Sequence, residues 1–206
     1  MPEVSSRAGG ECPCSAMDVV DPTGCWNDGT MMKVFWLFGR SGAGKTTLAL
    51  RLRDGFQDRK LPVFFIDGDL ARSGLSSDLG YNPGARTEHH RRIAEVARMV
   101  SEQGIIPIVA TMAPEYAQRD QVQKTLGDQL VWIFVDAPLD ECLRRDPKGL
   151  YRQAKEGKIR NLIDYPFETP RAEERKITIN TTIGGVEDCY QRLLAESLAR
   201  LSDFVI

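Results

Sequence analysis

Gly39-Arg40-Ser41-Gly42-Ala43-Gly44-Lys45-Thr46 reads G-x-x-x-x-G-K-[ST], the pattern of a loop that wraps a chain of phosphates. Glycines leave no side chain between backbone N–H groups and phosphate oxygens. An ammonium at Lys45 reaches the outer phosphates, and a hydroxyl at Thr46 can ligate Mg²⁺. A helix that starts at the loop points its positive end at the anion. The flanks fit this reading. Val34-Phe35-Trp36-Leu37-Phe38 is an unbroken apolar run, as a strand buried on both faces of a parallel sheet requires. Thr47-Leu48-Ala49-Leu50-Arg51-Leu52 is a good helix start.

Strands and helices alternate from there. A helix runs to about Gln57, and Leu61–Ile66 forms a second strand that ends in Asp67-Gly68-Asp69. A polar segment follows, with Leu79–Gly84 as a turn. Thr87–Glu102 is helical, with Ile93, Val96, Ala97 and Val100 on one face. Ile105–Ala110 is the next strand, although Pro107 is awkward in a central position. Tyr116–Leu126 is helix, Leu130–Val135 strand, Leu139–Arg145 a short helix and Tyr151–Lys158 a basic helix. Lys176–Asn180 and a helix to about Leu201 close the chain. The expected class is α/β: a three-layer P-loop NTPase fold, with a parallel sheet, helices on both faces and a helical lid over Tyr151–Tyr165. Ligands in such sheets bind beyond the C-terminal strand ends. The phosphate loop, Asp67-Gly68-Asp69, Thr111–Pro114 and Asp136 all fall there.

Composition narrows the classes. At 206 residues, with 42% hydrophobic and 27% charged residues, the chain suits one globular domain. A net charge of −2 argues against a nonspecific grip on nucleic acid or an acidic membrane. No apolar run is long enough to span a bilayer and no secretory signal pattern opens the chain, so the cytoplasm is the expected compartment. Residues 1–31 read as a flexible extension and residues 32–206 as the P-loop domain. The five cysteines are Cys12, Cys14, Cys25, Cys142 and Cys189, which suggest no disulfide framework. The first three cluster, but a C-x-C spacing without a nearby fourth ligand is a poor zinc site, so reduced thiols are expected.

Asp67-Gly68-Asp69 places two carboxylates beside the phosphate loop, where they can serve Mg²⁺ or a hydroxyl. The longer block Asp67-Gly68-Asp69-x-x-Arg72-x-Gly74-Leu75-x-x-Asp78-Leu79-Gly80 resembles the segment after the second strand of adenylyl-sulfate (APS) kinases. Val135-Asp136-Ala137-Pro138-Leu139-x-x-Cys142-x-x-Arg145-Asp146-Pro147-Lys148-Gly149-Leu150-Tyr151 resembles that family's lid signature. Glu88 with Arg91-Arg92, and Ile163-Asp164-x-Pro166-Phe167-Glu168-x-Pro170, match it too, so the likeness covers about Met32–Leu201.

The resemblance implies transfer of the ATP γ-phosphoryl group to the ribose 3′-hydroxyl of a sulfated adenosine nucleotide. Asp69, Lys45 and Lys148 are then the catalytic candidates, and ATP and Mg²⁺ are the expected donor and metal. Gly39, Ser41, Gly42, Ala43, Gly44, Lys45, Thr46 and Thr47 would hold the triphosphate, with Arg145 near the adenine. Thr46 and Asp69 would serve the metal. Asp67, Arg72, Tyr81, Arg86, His89, Lys148 and Leu162 would face a small nucleotide acceptor. The oligomeric state is left open, with a homodimer among the options.

This chain departs from the family's pattern mainly on the acceptor side. Leu70 stands where the family has Asn after Asp-Gly-Asp. Ala85 and His89 replace Asp and Asn of Asp-Arg-x-Glu-Asn. Thr111-Met112-Ala113-Pro114 replaces Phe-Ile-Ser-Pro, so Ala113 cannot carry a phosphate. The family's Phe-Thr-Gly before Ile-Asp is missing, which removes one face of an aromatic sandwich with Tyr81. A stacking face is worth roughly 1–3 kcal/mol. Three functions therefore stay open: an adenylyl-sulfate kinase, the same reaction on a modified nucleotide such as a cytidine diphosphoramidate, and an ATP-binding regulator without transfer. His89 could replace the Asn as a hydrogen-bond donor, and a solvent-facing His89-His90 pair is the alternative.

Overall fold

The computed structural model describes residues 31–158 and 167–202. Leu162, Cys12, Cys14, Cys25 and most of the extension lie outside the described residues, as does the second half of the expected lid. In chain order the elements are β1 (Val34–Phe38), α1 (Lys45–Gln57), β2 (Val63–Asp67), α2 (Gly68–Ser73), α3 (Pro83–Ser101) and β3 (Ile106–Thr111). Then come α4 (Tyr116–Leu126), β4 (Leu130–Asp136), α5 (Leu139–Arg145), α6 (Leu150–Lys155), β5 (Ile177–Asn180) and α7 (Val186–Ser202).

The strands form one parallel sheet in the order β2-β3-β1-β4-β5. β1 is central, which is why its five residues are all fully buried. Its side chains alternate between two cores. Phe35 and Leu37 join Leu48, Leu52, Phe56 and Leu193 under α1 and α7. Val34, Trp36 and Phe38 join Ile93, Ala97, Val122 and Trp132 under α3 and α4. The chain leaves β1 toward β2 on one face and returns from β3 to β4 on the other. The loop after β1 thus sits at the reversal of strand order, where open α/β sheets bind ligands. The expected three-layer P-loop fold is what forms. Among the described residues no helix is long and apolar enough to cross a membrane.

Two local expectations change, and a third, the strand that contains Pro107, holds. The polar stretch after Asp67 is a helix, α2, because the Asp67 carboxylate caps it: Oδ1 accepts from the N–H groups of Asp69 (2.8 Å) and Leu70 (3.3 Å). α3 starts at Pro83, four residues before Thr87. The Asn82 side chain accepts from Ala85 N–H (2.8 Å) and the proline occupies the first turn, where its missing N–H is harmless. Pro107 does lie in an interior strand. Ile106 N–H bonds to the Pro62 carbonyl on the β2 side (2.9 Å), so alternation turns position 107 toward β1. There the registered ladder begins only at Phe35 and Ile108, so the missing N–H costs the sheet no more than the terminal rung at Val34.

Candidate active site

Five strand ends converge on one rim. The loop 39–44 leaves β1, Asp67 and α2 leave β2, and 112–115 leave β3. Asp136–Pro138 with α5 leave β4, and Thr181–Gly185 leave β5. Among the described residues the N–H groups of Gly44, Lys45, Thr46 and Thr47 find no acceptor within the protein. Four orphan donors at a helix start are the donor set a phosphate requires. The glycines have a second reason to be there. A side chain at Gly39 (φ 150°) would strike the Val135 carbonyl, and a Cβ at Gly42 (φ 79°) would lie 2.9 Å from the Cys142 carbonyl. The loop is thus wedged against the ends of β4 and α5 as well as shaped for an anion.

Lys45 Nζ donates to the Arg40 carbonyl (2.8 Å). Burial pushes its ammonium down to about 8, with Asp69 opposing and Lys148 reinforcing the shift. Lys148, in the turn between α5 and α6, forms an ion pair with Asp69 Oδ2. The hydrogen bond to Asp69 raises the Lys148 pKa. Asp69, Lys45 and Lys148 are therefore brought together, although they come from three separate elements. Asp67 lies close by, but its Oδ1 is occupied with the α2 cap. Among the described residues no three His, Cys, Asp or Glu side chains cluster as a metal cage. A Mg²⁺ ion suits that arrangement, since it keeps several waters and takes few protein ligands beside phosphate oxygens.

On the neighbouring side Arg72, Tyr81 and Arg86 gather. Both guanidinium groups lie over the Tyr81 ring, at 5.3 and 5.7 Å from its centroid. They are tethered by the Gly80 carbonyl (Arg72, 3.2 Å) and the Tyr81 carbonyl (Arg86, 2.9 Å). Arg145 is held by the other rim: it donates to Thr181 Oγ1 (2.9 Å), the Thr181 carbonyl (2.8 Å) and Glu141 (2.7 Å). Thr181 and Glu141 escaped the sequence reading, because Thr181 lies in no motif and Glu141 falls at an unspecified position of the lid signature.

The histidines correct an expectation. Neither faces solvent: His89 is 4% and His90 5% exposed. His89 Nδ1 sits 3.0 Å from Ser76 Oγ, and His90 Nδ1 2.7 Å from the Arg86 carbonyl. The His90 ring stacks on Trp36, whose Nε1–H donates to Thr111 Oγ1 (2.9 Å). Burial lowers the two imidazoles to about 3 and about 4, so both are neutral at pH 7. Glu88 with Arg91 and Arg92 is likewise a brace. Glu88 pairs with both arginines, and Arg92 also grips Asp78 (2.6 Å), which ties α3 to the turn after α2.

A phosphate loop after the central strand, a facing carboxylate on α2 and a lysine reaching in from beyond α5 define a P-loop kinase. The chain belongs to the adenylylsulphate kinase family, whose model matches residues 31–178. It is 48% identical over 165 residues to an adenylyl-sulfate kinase of Pseudomonas aeruginosa, across 79% of this chain and 83% of that one. It is 38% identical over 163 residues to one of Clostridium acetobutylicum, across 78% and 80%. In shape it is similar to the Mycobacterium tuberculosis APS kinase CysC solved in complex with AMPPNP and APS. The TM-score is 0.77 at 29% identity, covering 82% of this chain and 98% of that one.

Proposed function

We propose that this chain transfers the γ-phosphoryl group of ATP, with Mg²⁺, to the ribose 3′-hydroxyl of adenylyl sulfate. The observation that carries the reading is the meeting of Lys45, Asp69 and Lys148 beside a helix start with four orphan N–H donors. The loop N–H groups and Lys45 hold the β- and γ-phosphates, and Thr46 with Asp69 would hold the metal, which would supply charge neutralisation to the transferring group. Asp69 orients the 3′-hydroxyl and accepts its proton as the new O–P bond forms and the bond to the β-phosphate oxygen breaks, releasing ADP. Lys148 leaves Asp69 for the transferring phosphoryl group once substrates fill the site. Arg72 and Arg86 bind the acceptor's anionic groups around Tyr81, and Arg145 borders the adenine of ATP. His89, pinned against Ser76, supports α2 from beneath. In this reading residues 32–206 make up the kinase domain, residues 1–31 take no part in the chemistry, and the protein works in the cytoplasm on small molecules alone.

A second acceptor remains open for a specific reason. Leu70 is 73% exposed beside Asp69, where the family has a polar Asn, and buried His89 replaces another. A modified nucleotide such as a cytidine diphosphoramidate would be phosphorylated by the same machinery. The test is kcat/KM for adenylyl sulfate against a panel of nucleotides under identical ATP-Mg²⁺, with the products identified. Adenylyl sulfate is expected to lead the panel. Another nucleotide exceeding it would move the assignment to that acceptor, and binding of ATP without transfer to any of them would leave only the regulatory function.

A further inference from the structure

Arg40, the first variable residue of the phosphate loop, has no role in the reading above. Among the described residues its guanidinium makes no hydrogen bond and no ion pair. It lies over the Phe167 ring, 4.9 Å from the centroid. Among the described residues this partly buried cation has no anion, and it sits in a loop built for a polyanion.

Phe167 is itself held in place. Its ring stacks on Phe134 (6.2 Å), at the end of β4. Its neighbour Glu168 is fixed three ways. Its N–H donates to the Pro114 carbonyl (2.9 Å), its carboxylate accepts from Tyr116 N–H, and its carbonyl accepts from Arg119 (3.2 Å). Arg119 is fully buried, flanked by the Phe38 and Tyr116 rings (5.5 and 4.8 Å). It also donates to buried Glu174 (3.0 Å) and to the carbonyl of Ala113 (2.8 Å), a non-glycine residue at φ 38°. A buried ion pair thus bolts the segment carrying Phe167 to the end of β1 and the loop after β3.

We infer that Arg40 is a further triphosphate-binding residue, aimed by Phe167, and that Arg119 with Glu174 positions that platform. This deepens the kinase reading and rests on ATP being the donor. ATP-Mg²⁺ affinity, measured by calorimetry without an acceptor, tests it separately from the identity of the acceptor. Arg40→Ala and Phe167→Leu should each weaken ATP-Mg²⁺ binding about tenfold, as loss of one charge-assisted contact does. The double variant should be no weaker than Arg40→Ala alone, because both act through one guanidinium. Arg40→Lys, which keeps the charge but loses the stacked plane, should fall between. Arg119→Lys should weaken ATP in step with Phe167→Leu while circular dichroism reports a folded chain. Should that variant not fold, the two substitutions at Arg40 and Phe167 still decide. ATP affinities within twofold of wild type for Arg40→Ala would overturn the inference, as would additive losses in the double variant. Wild-type chain that binds ATP-Mg²⁺ but transfers to no acceptor would overturn the kinase reading and leave this one standing.

Discussion

Lys45 shows how burial and chemistry work against each other in one residue. Its ammonium is held near 8 because desolvation outweighs the attraction of Asp69. A lowered pKa means that the ligand-free protein loses the Lys45 proton as pH rises through about 8. Triphosphate beside the ammonium favours the charged form, so binding takes the proton back up. We expect ATP-Mg²⁺ affinity to fall as pH climbs from 7 to 9. Calorimetry at pH 8 in buffers of different ionisation enthalpy should show uptake of about half a proton per site. Buffer-independent heats would place the Lys45 pKa elsewhere. Arg145 makes a different point at the same level. Its motif position marked it, but the hydrogen bonds to Thr181 that fix its plane come from the turn after β5, 36 residues away.

Short elements at the strand ends do the aiming. α2 has only six residues, too few to be stable alone. It forms because Asp67 caps it and because Gly68 lies flush against β3, where a Cβ would come 2.9 Å from Thr111 Cγ2. Asp67→Ala should therefore cost about 1 kcal/mol of stability and lower kcat, since the cap also orients the Asp69 backbone. Asp67→Asn should restore most of the stability, because Asn caps as well. Denaturant unfolding and steady-state kinetics on the two variants check this. If Asp67→Asn restores stability but not kcat, the carboxylate charge itself serves the substrate or metal, beyond the cap. At the other rim Asp146 (φ 24°) plays the corresponding part, its two carboxylate oxygens accepting from Tyr151 and Arg152 N–H groups at the start of α6.

Across the molecule, the two histidines buried along α3 tie stability to pH. His89 and His90 titrate near 3 and 4 in the folded chain but at their ordinary 6.5 when unfolded. Below 6.5 the unfolded chain gains protons that the folded one refuses. Stability is thus complete above about pH 6.5 and is lost as pH falls, by about 2 kcal/mol per histidine at pH 5. That is a large share of a typical 5–15 kcal/mol total. Urea unfolding at pH 7.5 and pH 5 should show the loss, and His90→Phe, which keeps a ring against Trp36, should roughly halve it. An unchanged pH dependence in that variant would remove His90 from this account.

The layered sheet, its central strand and the phosphate loop were readable from local pattern, because a five-residue apolar run, a glycine-rich turn and a helix start each leave a contiguous signature. Asp69, Lys148 and Arg72 were readable as candidates because they lie in motifs. Four things were not. α2 depends on a cap and a flush glycine that look like an ordinary turn. The early start of α3 hides behind Pro83. The burial of His89 and His90 depends on Ser76, Arg86 and Trp36 closing over them. The Arg119–Glu174 pair joins residues 55 apart in a fully desolvated pocket, and a charged residue has no periodicity that announces burial. Propensity and hydrophobic spacing act between near neighbours, so the chain spells out its strands and its loop. Which polar groups lose their water, and what meets across the rim, is settled by packing between distant segments.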